Sequence, residues 1–231
     1  MRILAVIPAR GGSKRVPGKN MRKLGNKPLI NWTIDSAFNT PELSAIMVST
    51  DDPQIAEIAQ SAGATVPWLR PIKLATDESK SVDVAIHALD WYETENGKVD
   101  GILLLQPTSP FRSQASIQKG IELFIKHNYQ TVIGVTPTHA HPMWTFKQKG
   151  NYLVPYIDGL GFKTRSQDLP LAYLVSGSFY LISPKELRIQ NSFVTPKIIP
   201  LLIESPQEAL DIDTEWDFKL AEFIAASYYE H

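Results

Sequence analysis

The sequence has no cysteine among its 231 residues, which excludes disulfides, thiolate zinc sites and cysteine nucleophiles. That absence fits a reducing compartment, and a cytoplasmic location is expected. Long apolar runs are missing as well. The opening "MRILAVIPAR" is interrupted by Pro8 and Arg10 and is too short for a signal segment or a membrane span, so no membrane association is expected. Acidic residues are absent from one region in particular: residues 1 to 34 hold eight Lys or Arg and no Asp or Glu, although the whole chain has a formal net charge of -1. A nucleic-acid binder spreads positive charge over a face and has a high pI, whereas this chain concentrates it at one end and has a pI of about 6.5. The balance points to a small anionic ligand and away from nucleic acid.

What is present is an alternation of strand and helix signals. "ILAVI" (3 to 7) is an apolar run of strand length, and "PLINWTIDSAFN" (28 to 39) carries an apolar face at helical spacing. "AIMVST" (45 to 50) reads as a second buried strand, followed by a helix over 51 to 63 with Pro53 in its first turn and Gly63 as its stop. Helices over 81 to 93 and 113 to 128 alternate with strands over 101 to 106 and 131 to 136. Strand signals return at 176 to 183 and 197 to 203, and an amphipathic helix closes the chain over 214 to 229. This pattern predicts a single α/β domain over residues 1–231, with a mainly parallel sheet covered by helices on both faces. Ligands of such sheets sit at the carboxyl ends of the strands. From about 137 to 170 the rhythm fails, and turn formers and aromatic residues predict an excursion containing a hairpin around Lys149 and Gly150.

Four stretches carry the chemistry. In "AVIPARGGSKRVPGKN" (5 to 20), Gly11 and Gly12 allow backbone N–H groups close to phosphate oxygens while Arg10, Lys14 and Lys19 neutralise charge; the alternative is a solvated basic loop. In "LDIDTEWD", Asp211 and Asp213 point the same way from an extended segment and suit a hard cation such as Mg²⁺; the alternative is that Asp213 or Thr214 caps the following helix. "LLLQPTSPFR" (103 to 112) puts Gln106, Thr108, Ser109 and Arg112 after a buried strand, where they either line the sheet edge or form a turn ahead of a helix capped by Ser113. "LRPIKLATDES" (69 to 79) offers Arg70 and several hydroxyls and is weak alone. A basic loop and paired carboxylates in one α/β chain together indicate metal-assisted nucleoside triphosphate chemistry. His87 reads as a structural histidine, and His139 with His141 lacks a third metal ligand nearby.

These four stretches, in this order, resemble the CMP-sialic acid synthetases, or acylneuraminate cytidylyltransferases, over nearly the whole chain. The resemblance implies a Rossmann-like nucleotidyltransferase domain and a homodimer built partly by a β-rich excursion such as 137 to 170. It also implies transfer of CMP from CTP to a nine-carbon 2-keto sugar acid, with release of pyrophosphate. Carried over by position, it assigns Arg10, Gly11, Gly12, Ser13 and Lys19 to the triphosphate and Asn20, Arg70, Ser79 and Ser81 to the nucleoside. Gln106, Ser166, Leu174, Ser176 and Tyr180 fall at the sugar, and Asp211 and Asp213 at Mg²⁺, with Mn²⁺ able to substitute; Arg10, Lys19 and Asp213 are the implied catalytic residues. Ser166, Leu174 and Ser176 stand where sialic acid enzymes commonly carry Arg, Arg and Asn, which brings legionaminic and pseudaminic acids forward as substrates. The alternatives are a CMP-Kdo synthetase, a family that usually shows proline at the position of Asn20, and a non-catalytic nucleotide-binding protein of the same fold.

Overall fold

The side chains of Ile3, Ala5 and Ile7 face one apolar layer and those of Leu4 and Val6 another, which is why the first strand reads as an unbroken apolar run. In the computed structural model, which describes residues 1 to 227 apart from 39, 139 and 160 and gives Ser166 without its side chain, that strand is β1 (Ile3–Pro8). A two-residue ladder of β2 (Lys23–Leu24) and β3 (Lys27–Pro28) leads into α1 (Leu29–Phe38), β4 (Leu43–Ser49) and α2 (Pro53–Ser61). Then come α3 (Ser81–Asn96), β5 (Gly101–Leu104), α4 (Gln114–Lys126) and β6 (Val132–Pro137). The hairpin of β7 (Phe146–Lys149) and β8 (Tyr152–Pro155) turns at Gly150, whose φ of +62° suits glycine. The chain ends with β9 (Tyr173–Ile182), α5 (Pro184–Gln190), β10 (Ile199–Leu202) and α6 (Glu215–Ser227).

The six-stranded sheet has the order β10-β6-β9-β5-β1-β4, and only β9 runs antiparallel to its neighbours β5 and β6. Helices α1, α2 and α4 bury Ile34, Ile55, Ile117 and Phe124 on one face. Helix α3 buries Val82, Ala85, Leu89 and Tyr92 on the other. The expected mainly parallel sheet with helices on both faces is therefore present. Because α1 leaves β1 on one face and α3 approaches β5 on the other, the strand order switches at β1, and a crevice opens beyond its carboxyl end. That is where the basic loop begins.

The Ser113 cap expected from the sequence is formed, its hydroxyl accepting from the Ser116 amide, and Asp52 accepts hydrogen bonds from the Gln54 and Ile55 amides around Pro53. Gly120, inside α4, lies where any Cβ would overlap the ring of Phe179 on β9. Helix propensity favours alanine over glycine by about 1 kcal/mol, but overpacking costs about 1–3 kcal/mol. Gly120→Ala is therefore expected to lower stability in urea or thermal melts, opposite to the sign that propensity gives.

Candidate active site

The loop after β1 is held at both ends before any ligand arrives. The Ala9 amide donates to the Ser49 carbonyl at 2.9 Å and the Gly11 amide to Asp51 Oδ1 at 3.1 Å, fastening it to the end of β4. Gly11 has no room for a side chain, since a Cβ would stand 2.6 Å from Asp52 Oδ2, whereas Gly12 faces open space. Further on, Gly18 adopts a φ of +63° and the buried Val16 packs under the loop with Leu24 and Phe111. Asn20, itself 7% exposed, donates its carboxamide back to the Arg10 carbonyl at 3.0 Å.

This loop borders a cavity of about 610 Å³. Arg10, Ser13, Lys19 and Asn20 line it from the basic loop, Arg70, Ser79 and Ser81 from the segment leading into α3, and Gln106 and Asp213 from the two remaining motifs. Residues from all four stretches thus meet at one space. Pro8, Val84 and Pro107 supply apolar wall; Lys14, expected to neutralise phosphate charge, and Thr108, expected at the sheet edge, also line the cavity, and Arg15, Thr76 and Asp77 add polar groups that the motifs alone do not single out.

The cations of the loop have partners from distant segments. Arg10 pairs with Asp77 at 2.7 Å, and Lys14 pairs with the same carboxylate. These two bases hold the Asp77 carboxyl below its ordinary value, Lys14 first and Arg10 second. Arg15 pairs with Asp213 at 3.2 Å, and Lys19 Nζ donates to the Ile212 carbonyl at 2.6 Å. Burial lowers the Lys19 ammonium from its usual value, with Asp213 and Asp211 opposing that shift.

The acidic end separates into two tasks. Asp217 Oδ2 accepts hydrogen bonds from the amides of Asp213 and Thr214, while Thr214 Oγ1 accepts from the Asp217 amide, so Thr214 and Asp217 form the cap of α6. Asp213 does not cap with its side chain and lines the cavity instead. Asp211 is pushed up from the usual carboxylate range by burial, against which the Thr108 hydroxyl acts, and its Oδ1 is buried with no hydrogen-bond partner. A desolvated carboxylate oxygen beside a second carboxylate is a donor set that fits a hard divalent cation completed by phosphate and water. Among the described residues no cluster of three or more acidic or histidine ligands exists, so these carboxylates would need the substrate to complete a coordination shell.

Other expected positions are placed differently. Three donors of Arg70 already bind the Ser49 hydroxyl, the Ser49 carbonyl and the Leu74 carbonyl, and burial lowers its pKa to about 10. The Ser79 hydroxyl contacts Thr76 Oγ1 at 2.9 Å within its own loop. Tyr180 lies outside the cavity lining, but its phenol is raised first by burial and then by the nearby Asp211 charge. Ser176 is buried with its hydroxyl 2.6 Å from that of Ser178, and Leu174 is exposed opposite Thr136 on the register of β9 and β6. Ser166 begins a short 3-10 turn, and its side chain lies outside the description. His87 packs edge-on against Trp68 as a structural residue, with its Nδ1 unpartnered. His141 spends both ring nitrogens on Pro170 and Met143, and His139 lies outside the described residues.

Known proteins resemble this chain over most of its length. The chain is 41% identical, over 96% of its length and 95% of the relative, to a CMP-N,N'-diacetyllegionaminic acid synthase of Legionella pneumophila. It is 30% identical over 97% of its length, and 96% of the relative, to a pseudaminic acid cytidylyltransferase of Campylobacter jejuni. Among solved structures it resembles a CMP:2-keto-3-deoxy-manno-octonic acid synthetase complexed with CTP, with a TM-score of 0.71, 17% identity and coverage of 99% of this chain and 100% of that one. The family described as Cytidylyltransferase matches residues 4–183, and the chain belongs to that family.

Proposed function

We infer that this enzyme couples CTP to a nine-carbon 2-keto sugar acid of the legionaminate type, giving the CMP-sugar and pyrophosphate. The observation that carries this reading is the joining of the basic loop to the acidic segment across one cavity, through Lys19 Nζ on the Ile212 carbonyl. The relatives acting on legionaminic and pseudaminic acids direct the choice of sugar. The replacements Ser166, Leu174 and Ser176 argue against a pocket built for N-acetylneuraminate.

In the proposed reaction the anomeric 2-hydroxyl of the sugar acid attacks the α-phosphorus of CTP, and the bond to the β-phosphate oxygen breaks. Arg10, Ser13 and Lys19, with the Gly11–Gly12 turn, hold the triphosphate, and Lys19 and Arg10 stabilise the departing pyrophosphate. Asn20, Arg70, Ser79 and Ser81 shape the nucleoside side, Arg70 by fixing its loop to β4. Gln106 and Tyr180 face the sugar. CTP-using cytidylyltransferases generally employ a divalent metal. Here Asp211 and Asp213 would hold Mg²⁺ or Mn²⁺, which would supply charge neutralisation for the phosphates and would make the sugar hydroxyl more acidic.

The excursion leaves Tyr152, Leu153 and Tyr156 more than half exposed, an apolar surface suited to a homodimer contact. Among the described residues no helix is long and apolar enough to cross a membrane, and a cytoplasmic location is the companion proposal. The test is pyrophosphate release from CTP with purified legionaminic, pseudaminic, N-acetylneuraminic and Kdo acids, with light scattering on the same preparation. The expected result is the highest kcat/KM with legionaminic acid and a dimeric mass. Turnover of Kdo alone, or a strict monomer, would overturn the corresponding part.

A further inference from the structure

Arg112 takes no part in the chemistry above, yet it is 4% exposed beneath the site. Its Nε donates to the Ser178 carbonyl, its Nη2 to the Gln106 carbonyl at 3.0 Å, and its Nη1 reaches Thr33 Oγ1 at 3.5 Å. All these acceptors are neutral. Desolvation lowers its pKa to about 9, with Glu208 and Asp211 opposing the shift from a distance. Burying a cation against neutral oxygens is expensive, and two segments could be joined by uncharged groups at lower cost. What the planar guanidinium provides is a rigid fork between two carbonyls.

The two backbones it joins border one gap. At Gly177, next to Ser178, a Cβ would stand 2.6 Å from Gln106 Oε1, 3.1 Å from Ser109 Oγ and 3.3 Å from Asp211 Oδ1. The side chains of Gln106, Ser109 and Asp211 therefore close on residue 177 to distances that only glycine permits. Arg112 ties together the main chain on both sides of that contact, at Gln106 and at Ser178. We propose that Arg112 is a positioning residue for the sugar acid: by clamping the Gln106 and Ser178 carbonyls it fixes the Gly177 gap and so the aim of the Gln106 carboxamide. This rests on the reading that the sugar acid binds beside Gln106. The Ala9 and Gly11 amides fasten the basic loop to the end of β4 without involving Arg112.

The test is steady-state kinetics of Arg112→Lys and Arg112→Met with each substrate varied in turn, together with calorimetry of CTP binding. The expected result is a sugar-acid KM raised about tenfold and kcat lowered by up to about 10²-fold, with CTP affinity within about twofold of wild type. Lysine, which keeps the charge but not the fork, is expected to recover only part of the loss in Arg112→Met. A folded Arg112→Lys chain with unchanged sugar KM, or with the KM values for CTP and sugar rising together, overturns the proposal. Should both variants fail to fold, Gly177→Ala crowds the same gap with Arg112 in place, and an unchanged sugar KM there has the same consequence. A wild-type chain that transfers CMP to no sugar acid overturns both this proposal and the proposed function; one that does so, without the split in the variants, overturns this proposal alone.

Discussion

Asp211→Asn is expected to lower kcat/KM for CMP transfer by about 10³-fold while leaving the metal-free protein as stable as wild type, or more so. The first half follows from the proposed metal role: losing a carboxylate ligand forfeits several kcal/mol of transition-state charge stabilisation, and each 1.36 kcal/mol is about tenfold in rate. The second half follows from burial. Asp211 has its carboxyl raised by desolvation, and Oδ1 has no hydrogen-bond partner. A group whose folded pKa is raised contributes stability below its unfolded pKa and loses it as pH rises through the folded value, so at neutral pH the ionised side chain is a burden on the fold. The neutral carboxamide removes that burden. Asp213→Asn is expected to match the loss of activity without the gain in stability, because Asp213 is half exposed and paired with Arg15. Melting temperatures in chelator and initial rates in Mg²⁺ measure both halves; full activity in either variant would falsify the assignment.

Lys19→Met is expected to lower kcat/KM by about 10²–10³-fold, with most of the loss in kcat. Negative charge grows on the leaving pyrophosphate as the α-phosphorus bond breaks, so a fixed cation beside it is worth more in the transition state than in the bound substrate. Lys19 is fixed in that sense: its Nζ is held 2.6 Å from the Ile212 carbonyl, between Asp211 and Asp213. Arg15 and Lys14 are far more exposed and ion-paired, so neither has the same placement. Comparing kcat and the CTP KM of Lys19→Met with those of Lys14→Met separates the two situations. An equal rise in KM with kcat intact for both variants would reduce Lys19 to general electrostatic attraction.

The fold was legible wherever periodicity and caps spoke together. β1 and β5 are continuous apolar runs because both faces are covered, and α2 is bounded by Asp52 with Pro53 and by Gly63 at a φ of +88°. Helix α5 has no periodic signal in the sequence, because seven residues give too few turns for a period, although Ser183, Pro184 and a left-handed Asn191 mark its ends. The reversed direction of β9 has no local signal; it depends on where the excursion returns the chain. At the site, residue types and motif order were readable, but pairings were not. The basic loop looks unpartnered along the sequence because its carboxylates, Asp77 and Asp213, arrive from the distant segments ahead of α3 and α6. Ser176 shows the reverse limit: its position in a motif was clear, and only packing against Gly134 shows where its hydroxyl goes.

Asp77, shared by Arg10 and Lys14, puts an anion of the chain's own against the basic loop at the cavity wall. On the proposed reading, an anion binding there would displace that carboxylate from both cations. A single inorganic phosphate would break two ion pairs to form contacts of similar kind, whereas a triphosphate would reach Arg10 and Lys14 and extend on to Lys19 and the carboxylate end in one binding event. The loop would then discriminate by ligand length, with its own ion pairs setting the threshold.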